Sequence, residues 1–170
     1  MSADIRLYTD NLLDTKEIHH RLMQNTKWKF DGASGRPDEI FRHWCNYDYT
    51  IENNSDIKTV WEHVQSQIPV KLTPQRTILN VYNHGDTSYT HIDAPKWTII
   101  VYMNPVWEMD WGGYTVFTNR LMEKIIYAAY PLPGSFIMFR GSIMHRPTAV
   151  ERNAPLPRMG LTFQCEESEE

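Results

Sequence analysis

Cysteine is scarce in this chain. It has two, Cys45 and Cys165, too few and too far apart for a disulfide framework or a cysteine-rich zinc site. Two reduced thiols are expected. Long apolar runs are missing as well, and none approaches the ~20 residues that span a bilayer. The opening Met1-Ser2-Ala3-Asp4 carries neither the basic nor the apolar stretch of a secretory signal. Positive charge is not in excess: 17 Lys+Arg stand against 21 Asp+Glu, a net charge of −4, which excludes a nucleic-acid footprint spread over the whole chain. Internal repeats and low-complexity linkers are absent. The expectation is a cytoplasmic protein with no membrane segment, of a size that suits one domain over residues 1–170 and a bacterial or phage source.

Hydrophobic residues make up 41% of the chain, enough to build a core. The N-terminal part, residues 1–75, reads as a helical support region. Asp14 with Glu17 resembles a capping box, and Ile18, Leu22 and Met23 follow at helical spacing. A second helix is predicted from Ser55 or Asp56, with Val60, Trp61, Val64 and Ile68 on one face and Pro69 ending it. Asp31–Pro37 reads as a loop, Trp28, Trp44 and Trp61 as packing for the helices, and Glu166–Glu170 as a frayed acidic tail. Residues 76–165 change character. Strands are predicted at 77–82, 89–93, 97–103, 114–118, 125–130, 135–139, 148–150 and 160–165, separated by Gly, Pro, Asn and Asp clusters. Such spacing suggests a mainly β sandwich or barrel with the N-terminal helices on one outer face.

Among seven histidines, one pair has usable geometry. In a strand, residues i and i+2 share a face, so His91 and Asp93 would present an imidazole and a carboxylate side by side. His145, after the apolar strand Phe136–Phe139 and the turn Arg140-Gly141-Ser142, is the candidate third group. Two His and one carboxylate on one face of a metal leave positions open, the pattern of non-haem Fe(II) oxygenases. His84-Gly85-Asp86 has the same spacing but sits in a turn composition, which does not hold i and i+2 together. Arg158 opens the last strand and could grip a carboxylate through its forked donors. Thr162 shares its face, and Arg152 in the preceding loop competes for the role.

These residues resemble the Fe(II)/2-oxoglutarate-dependent dioxygenases, and within them the prolyl-hydroxylase-like branch. Asn80–Asp86 with Tyr89–Asp93, Thr98–Asn104 with Trp107 and Trp111–Phe117, and Pro133–Phe139 with His145–Val150 and Arg158 match its three segments in order. The resemblance implies a double-stranded β-helix (jelly roll). It implies Fe(II) held by His91, Asp93 and His145, and 2-oxoglutarate bound by Arg158 with Tyr102, Tyr82 and Thr162. It implies O2 as cosubstrate and ascorbate as a supporting reductant, with succinate and CO2 released as an unactivated C–H is hydroxylated. Arg158 lies thirteen residues after His145, longer than is common in that branch.

Three substrate classes are compatible: a prolyl residue in a peptide or protein, a free amino acid or other small molecule, and a nucleic acid. Trp97, Trp107 and Trp111 could form an aromatic substrate platform near the metal mouth. The demethylase branch carries a second arginine six residues after the cosubstrate arginine. That position is Gln164 here, which, with the chain's acidity, argues against a nucleic acid. A non-catalytic jelly-roll binding module is the contrasting class, but no ligand or anchoring residue is missing.

Overall fold

A computed structural model describes residues 4–33 and 38–168. Ten strands and two helices are present among them: β1 (Ile5–Tyr8), α1 (Lys16–Asn25), β2 (Lys29–Gly32), β3 (His43–Asn46), α2 (Ser55–Gln67), β4 (Leu72–Tyr82), β5 (Trp97–Tyr102), β6 (Thr115–Thr118), β7 (Ile125–Ala129), β8 (Phe136–Arg140), β9 (His145–Pro147) and β10 (Arg158–Glu167). Seven strands form one antiparallel sheet, in the order β1-β8-β5-β10-β4-β3-β2, and β7-β6-β9 form a second. The chain crosses repeatedly between the two sheets, which makes the fold a double-stranded β-helix.

Strand alternation divides the large sheet into two faces. Leu79, Val81, Ile99, Val101, Met159, Leu161 and Phe163 point to one side and pack under Ile57, Val60, Trp61 and Val64 of α2 and Ile18 and Leu22 of α1. Trp61 meets Phe163 ring to ring, with centroids 5.0 Å apart. The alternate residues face the second sheet. Tyr102, Ile137 and Phe139 close the interior there with Phe117 and Ala129. The rest of that face, along β4 and β10, is left for the cavity described below.

The helices lie where their apolar stripes put them, and α2 starts at Ser55 as expected, but the cap of α1 differs from expectation. Asn54, one residue before α2, accepts from the backbone N–H of Asp56 (3.0 Å) and Ile57 (3.1 Å). Asp14 does not form a capping box. Thr15 sits at the cap position of α1 without a side-chain bond, and Asp14 Oδ1 accepts only from the Lys16 N–H at 3.2 Å.

Residues 1–75 are not purely helical. β1 extends the large sheet at β8, and β2 and β3 extend it beyond β4. Asp31 and Gly32, expected in a loop, end β2, and the loop positions 34–37 lie outside the described residues. The acidic tail is not frayed at its start. Glu166 and Glu167 are paired in β10, and Glu167 accepts from Trp97 Nε1 at 3.0 Å and meets Lys96 Nζ at 2.7 Å. Cys45 and Cys165 are free and buried. Neither helix is long and apolar enough to cross a membrane.

Candidate metal and cosubstrate site

The segment 89–93, expected as a strand, is held by one isolated bridge instead. His91 N–H donates to the His145 carbonyl (3.0 Å), and His145 N–H donates to the His91 carbonyl (2.9 Å). This doubly bonded pair brings two distant histidines side by side, with ring centroids 4.5 Å apart and ring planes tilted by 53°. The strand near the second histidine is β9, which starts at His145, and not 148–150.

Asp93 is fixed separately. Its N–H donates to the Gly141 carbonyl at 2.8 Å, and its Oδ2 accepts from the Thr98 hydroxyl at 2.6 Å. Gly141 has to be a glycine for this. A Cβ there would sit 2.1 Å from the Pro95 carbonyl oxygen and 2.9 Å from that of Asp93, far inside van der Waals contact.

One donor atom from each of His91, Asp93 and His145 lies within 4.8 Å of the others, and among the described residues no other such group of three is present. His91 Nε2 is 3.8 Å from Asp93 Oδ1, and His145 Nε2 is 3.6 Å from Asp93 Oδ2. Both Nδ1 atoms face backbone carbonyls, of Tyr89 at 2.8 Å and of Ile143 at 2.9 Å. A carbonyl only accepts, so each Nδ1 carries the proton and each Nε2 keeps its lone pair for a ligand. Burial and the neighbouring His91 push the His145 imidazole down to about 4, although Asp93 pulls the other way. It is therefore neutral at pH 7 and can donate to a metal. Two imidazoles and one carboxylate suit Fe(II) with open positions.

A cavity of about 110 Å³ opens beside this group. At one end stands Arg158, 3% exposed. Its Nη2 donates to Thr115 Oγ1 at 3.2 Å, its guanidinium lies 5.6 Å from the Tyr82 ring centre and 5.3 Å from that of Tyr102, and its Nε has no partner. Among the described residues Arg158 forms no ion pair. A buried guanidinium without a counterion is costly, so the donor set fits an anionic ligand. Burial pushes the phenols of Tyr82 and Tyr102 up, and both stay neutral donors. Gly113, at φ +69°, lets its backbone pass the arginine stem; a Cβ there would lie 2.8 Å from Arg158 Cδ.

The other sequence candidates fall out as follows. Tyr82 and Thr162 line the cavity. Tyr102 stands behind its wall, and its hydroxyl donates to Thr115 Oγ1 at 2.9 Å. Arg152 lies in a separate surface groove with Asp110 and Glu151. His84 and Asp86 remain in their turn, where Asp86 Oδ2 accepts from Asn83 N–H at 2.7 Å.

The tryptophan platform is not formed. Trp97, Trp107 and Trp111 are buried, and none lines the cavity. Strand alternation is the reason for Trp97: Thr98 faces Asp93, so its neighbour faces the helices. Trp107 and Trp111 meet edge to face at 5.4 Å and pack behind Tyr82, with Trp107 Nε1 donating to the Gly112 carbonyl at 3.0 Å.

Several cavity residues had no sequence signal of their own. Thr115 receives both Tyr102 and Arg158. His43, on the unanticipated β3, stacks on Tyr82 at 4.3 Å and bonds Asn80 Oδ1 at 3.0 Å. Its pKa is lowered mainly by burial. Ser88 and Arg76 also line the cavity, as does Gln164, which the sequence marked only by its distance from Arg158.

The sequence profile of the 2OG-Fe(II) oxygenase superfamily matches residues 77–164, just over half the chain. The chain belongs to that superfamily. Solved structures agree on the fold. A prolyl-4-hydroxylase of Pseudomonas putida superposes with a TM-score of 0.69 at 13% identity, covering 95% of this chain and 92% of that one. A prolyl hydroxylase of Trichoplax adhaerens, in complex with a peptide fragment of the hypoxia inducible factor oxygen degradation domain, gives 0.74 at 16% identity, over 96% of this chain and 84% of that one. The viral collagen prolyl hydroxylase of Paramecium bursaria Chlorella virus-1, in complex with 2-oxoglutarate, gives 0.65 at 13% identity, over 96% of each chain. No curated protein sequence matches this one. As a member of this superfamily the chain is an oxygenase that uses Fe(II), 2-oxoglutarate and O2.

Proposed function

We propose that this oxygenase hydroxylates an unactivated C–H of a prolyl residue in a peptide or protein. His91 Nε2, an Asp93 carboxylate oxygen and His145 Nε2 hold the ferrous ion. Arg158 binds the distal carboxylate of 2-oxoglutarate, helped by the hydroxyls of Thr115 and Tyr82, while Tyr102 holds Thr115 in place. Thr162 faces the middle of the same cosubstrate. Together the bound iron and 2-oxoglutarate supply the oxidising power: O2 is consumed, one oxygen atom enters the C–H bond, and the other leaves in succinate as CO2 is released. Ascorbate serves as a supporting reductant.

The chain's own residues bind, orient and exclude water. The Tyr89 and Ile143 carbonyls keep both imidazoles in the ligating tautomer. Thr98 fixes the carboxylate rotamer. No side chain is required as a general base.

The observation that carries this reading is the pairing of the His91–Asp93–His145 group with a buried, counterion-free Arg158 across one small cavity. A non-catalytic jelly-roll module would need neither. The test is succinate release with Fe(II), ascorbate and 2-oxoglutarate, followed by mass spectrometry of proline-containing peptides for a gain of one oxygen atom. Succinate formation without any peptide gain, alongside an oxidised small molecule, would move the assignment to a metabolite hydroxylase.

A further inference from the structure

The end of the cavity opposite Arg158 has no function yet. The register of the large sheet places Thr98, Gln164 and Arg76 in one row across β5, β10 and β4. That row begins at the metal group, because Thr98 donates to Asp93. It lies six residues along β10 from Arg158, about 20 Å at the ~3.3 Å rise of a strand.

Two features leave the row free to take a ligand. Gln164 lines the cavity beside the metal group, and its carboxamide bonds no described residue. Its amide atoms face the cavity's water and can exchange that water for a ligand oxygen. Arg76 is exposed at the cavity rim and forms no ion pair among the described residues, and its guanidinium rests 4.7 Å above the centre of the Tyr47 ring, a stack that holds the fork in place. A β-bulge lies at this point: Gln164 pairs with Arg76 but Cys165 pairs with Pro74, leaving Gln75 as the extra residue. Bulges of this kind re-aim the side chains beside a site.

The charges of the lining narrow the ligand. Asp93 is the one carboxylate among the described lining residues, and it belongs to the metal group. A free amino acid would bring an ammonium and find no other acid among them to receive it. A prolyl residue within a chain has no N–H to donate and offers only carbonyl oxygens. Arg76 and the Gln164 amide nitrogen are donors.

We infer that Arg76 and Gln164 bind the carbonyl oxygens flanking the target proline, and so set the specificity for a peptide over a free amino acid. This rests on the reading of the site as a 2-oxoglutarate-dependent prolyl hydroxylase.

The probe is an acetylated, amidated proline-centred pentapeptide, titrated under argon onto the Mn(II)- and 2-oxoglutarate-loaded protein, with free L-proline in a parallel arm. The wild type is expected to bind the peptide and not L-proline. Gln164→Ala and Arg76→Ala should each weaken peptide binding by roughly tenfold, with 2-oxoglutarate affinity held within about twofold because Arg158 lies at the far end. Gln164→Glu should lose the peptide and gain L-proline, since it supplies the missing acid. Equal peptide affinity in wild type and both alanine variants overturns the pair, as does wild-type preference for L-proline or binding of neither probe. The anaerobic charge-transfer band on adding Fe(II) and 2-oxoglutarate separates the two levels. Its absence sinks the cosubstrate reading itself, whereas a normal band with unaffected peptide binding sinks only the Arg76–Gln164 assignment.

Discussion

Arg158 is the residue whose replacement separates ligand binding from folding most cleanly. Arg158→Met keeps an unbranched stem of similar length and removes the charge. In the ligand-free protein the guanidinium has one hydrogen bond to Thr115, worth ~1.5–3 kcal/mol for a charged donor. It also lies near two tyrosine rings, each contact contributing ~0.5–2 kcal/mol. Against this stands a desolvation cost of several kcal/mol for a buried ion without a counterion. The terms nearly cancel, so the ligand-free variant should differ from wild type by no more than about 1 kcal/mol, or roughly 2–4 °C in Tm for a chain of this size. Cosubstrate binding behaves differently. Losing one partner of a buried charge pair costs ~2–5 kcal/mol, a weakening of roughly 30-fold to a few thousand-fold. At 2-oxoglutarate concentrations of about 100 Kd the Mn(II)-loaded wild type gains ~2.7 kcal/mol, or about 5–10 °C, and Arg158→Met should show almost none of it. The assay is a thermal melt with and without 2-oxoglutarate. The reasoning is refuted if Arg158→Met keeps the wild-type shift while Arg152→Ala loses it, or if the ligand-free variant does not fold.

Further outcomes are expected. The metal-free protein should lose stability as pH falls from about 6.5 to about 4, because His145 binds its proton in the unfolded chain before it can in the folded one; the loss reaches at most about 3 kcal/mol, and His145→Phe should flatten this part of a denaturation-against-pH curve. Thr98→Val should leave the fold intact and weaken metal binding by roughly 10- to 100-fold, as loss of a supporting hydrogen bond does, read by metal titration. Gly141→Ala should destabilise by ~1–3 kcal/mol through the clash with the Pro95 carbonyl and lower metal affinity with it, since the same loop carries Asp93. His84→Ala should change neither metal affinity nor melting temperature.

Periodicity and turn composition were enough for α2 and for most strands after residue 76, whereas the grouping of His91, Asp93 and His145 needed the resemblance to a known family as well. The apolar spacing of Val60, Trp61 and Val64 needs only a helix to become a face, and it is buried as expected. Strand alternation also put Arg158 and Thr162 on one side of β10. What local pattern could not supply were the pairings. β1, β2 and β3 are short, and each is a strand because an edge of the large sheet receives it, not because its sequence demands one. The stretch 89–93 has strand-like composition, yet its shape comes from one reciprocal bond pair with His145. The tryptophans show the same limit. Aromatic side chains beside a metal motif suit a substrate platform by composition, and only the alternation of Trp97 with Thr98 turns the first of them to the helices.

The sequence by itself determined which chemistry the chain can carry, since two imidazoles, an acid and an arginine in that order are fixed by covalent structure. Tertiary structure alone decided which side chains share the cavity with them. Thr115, His43, Arg76 and Gln164 come from four different strands and meet through sheet register, which depends on contacts between residues far apart in the chain.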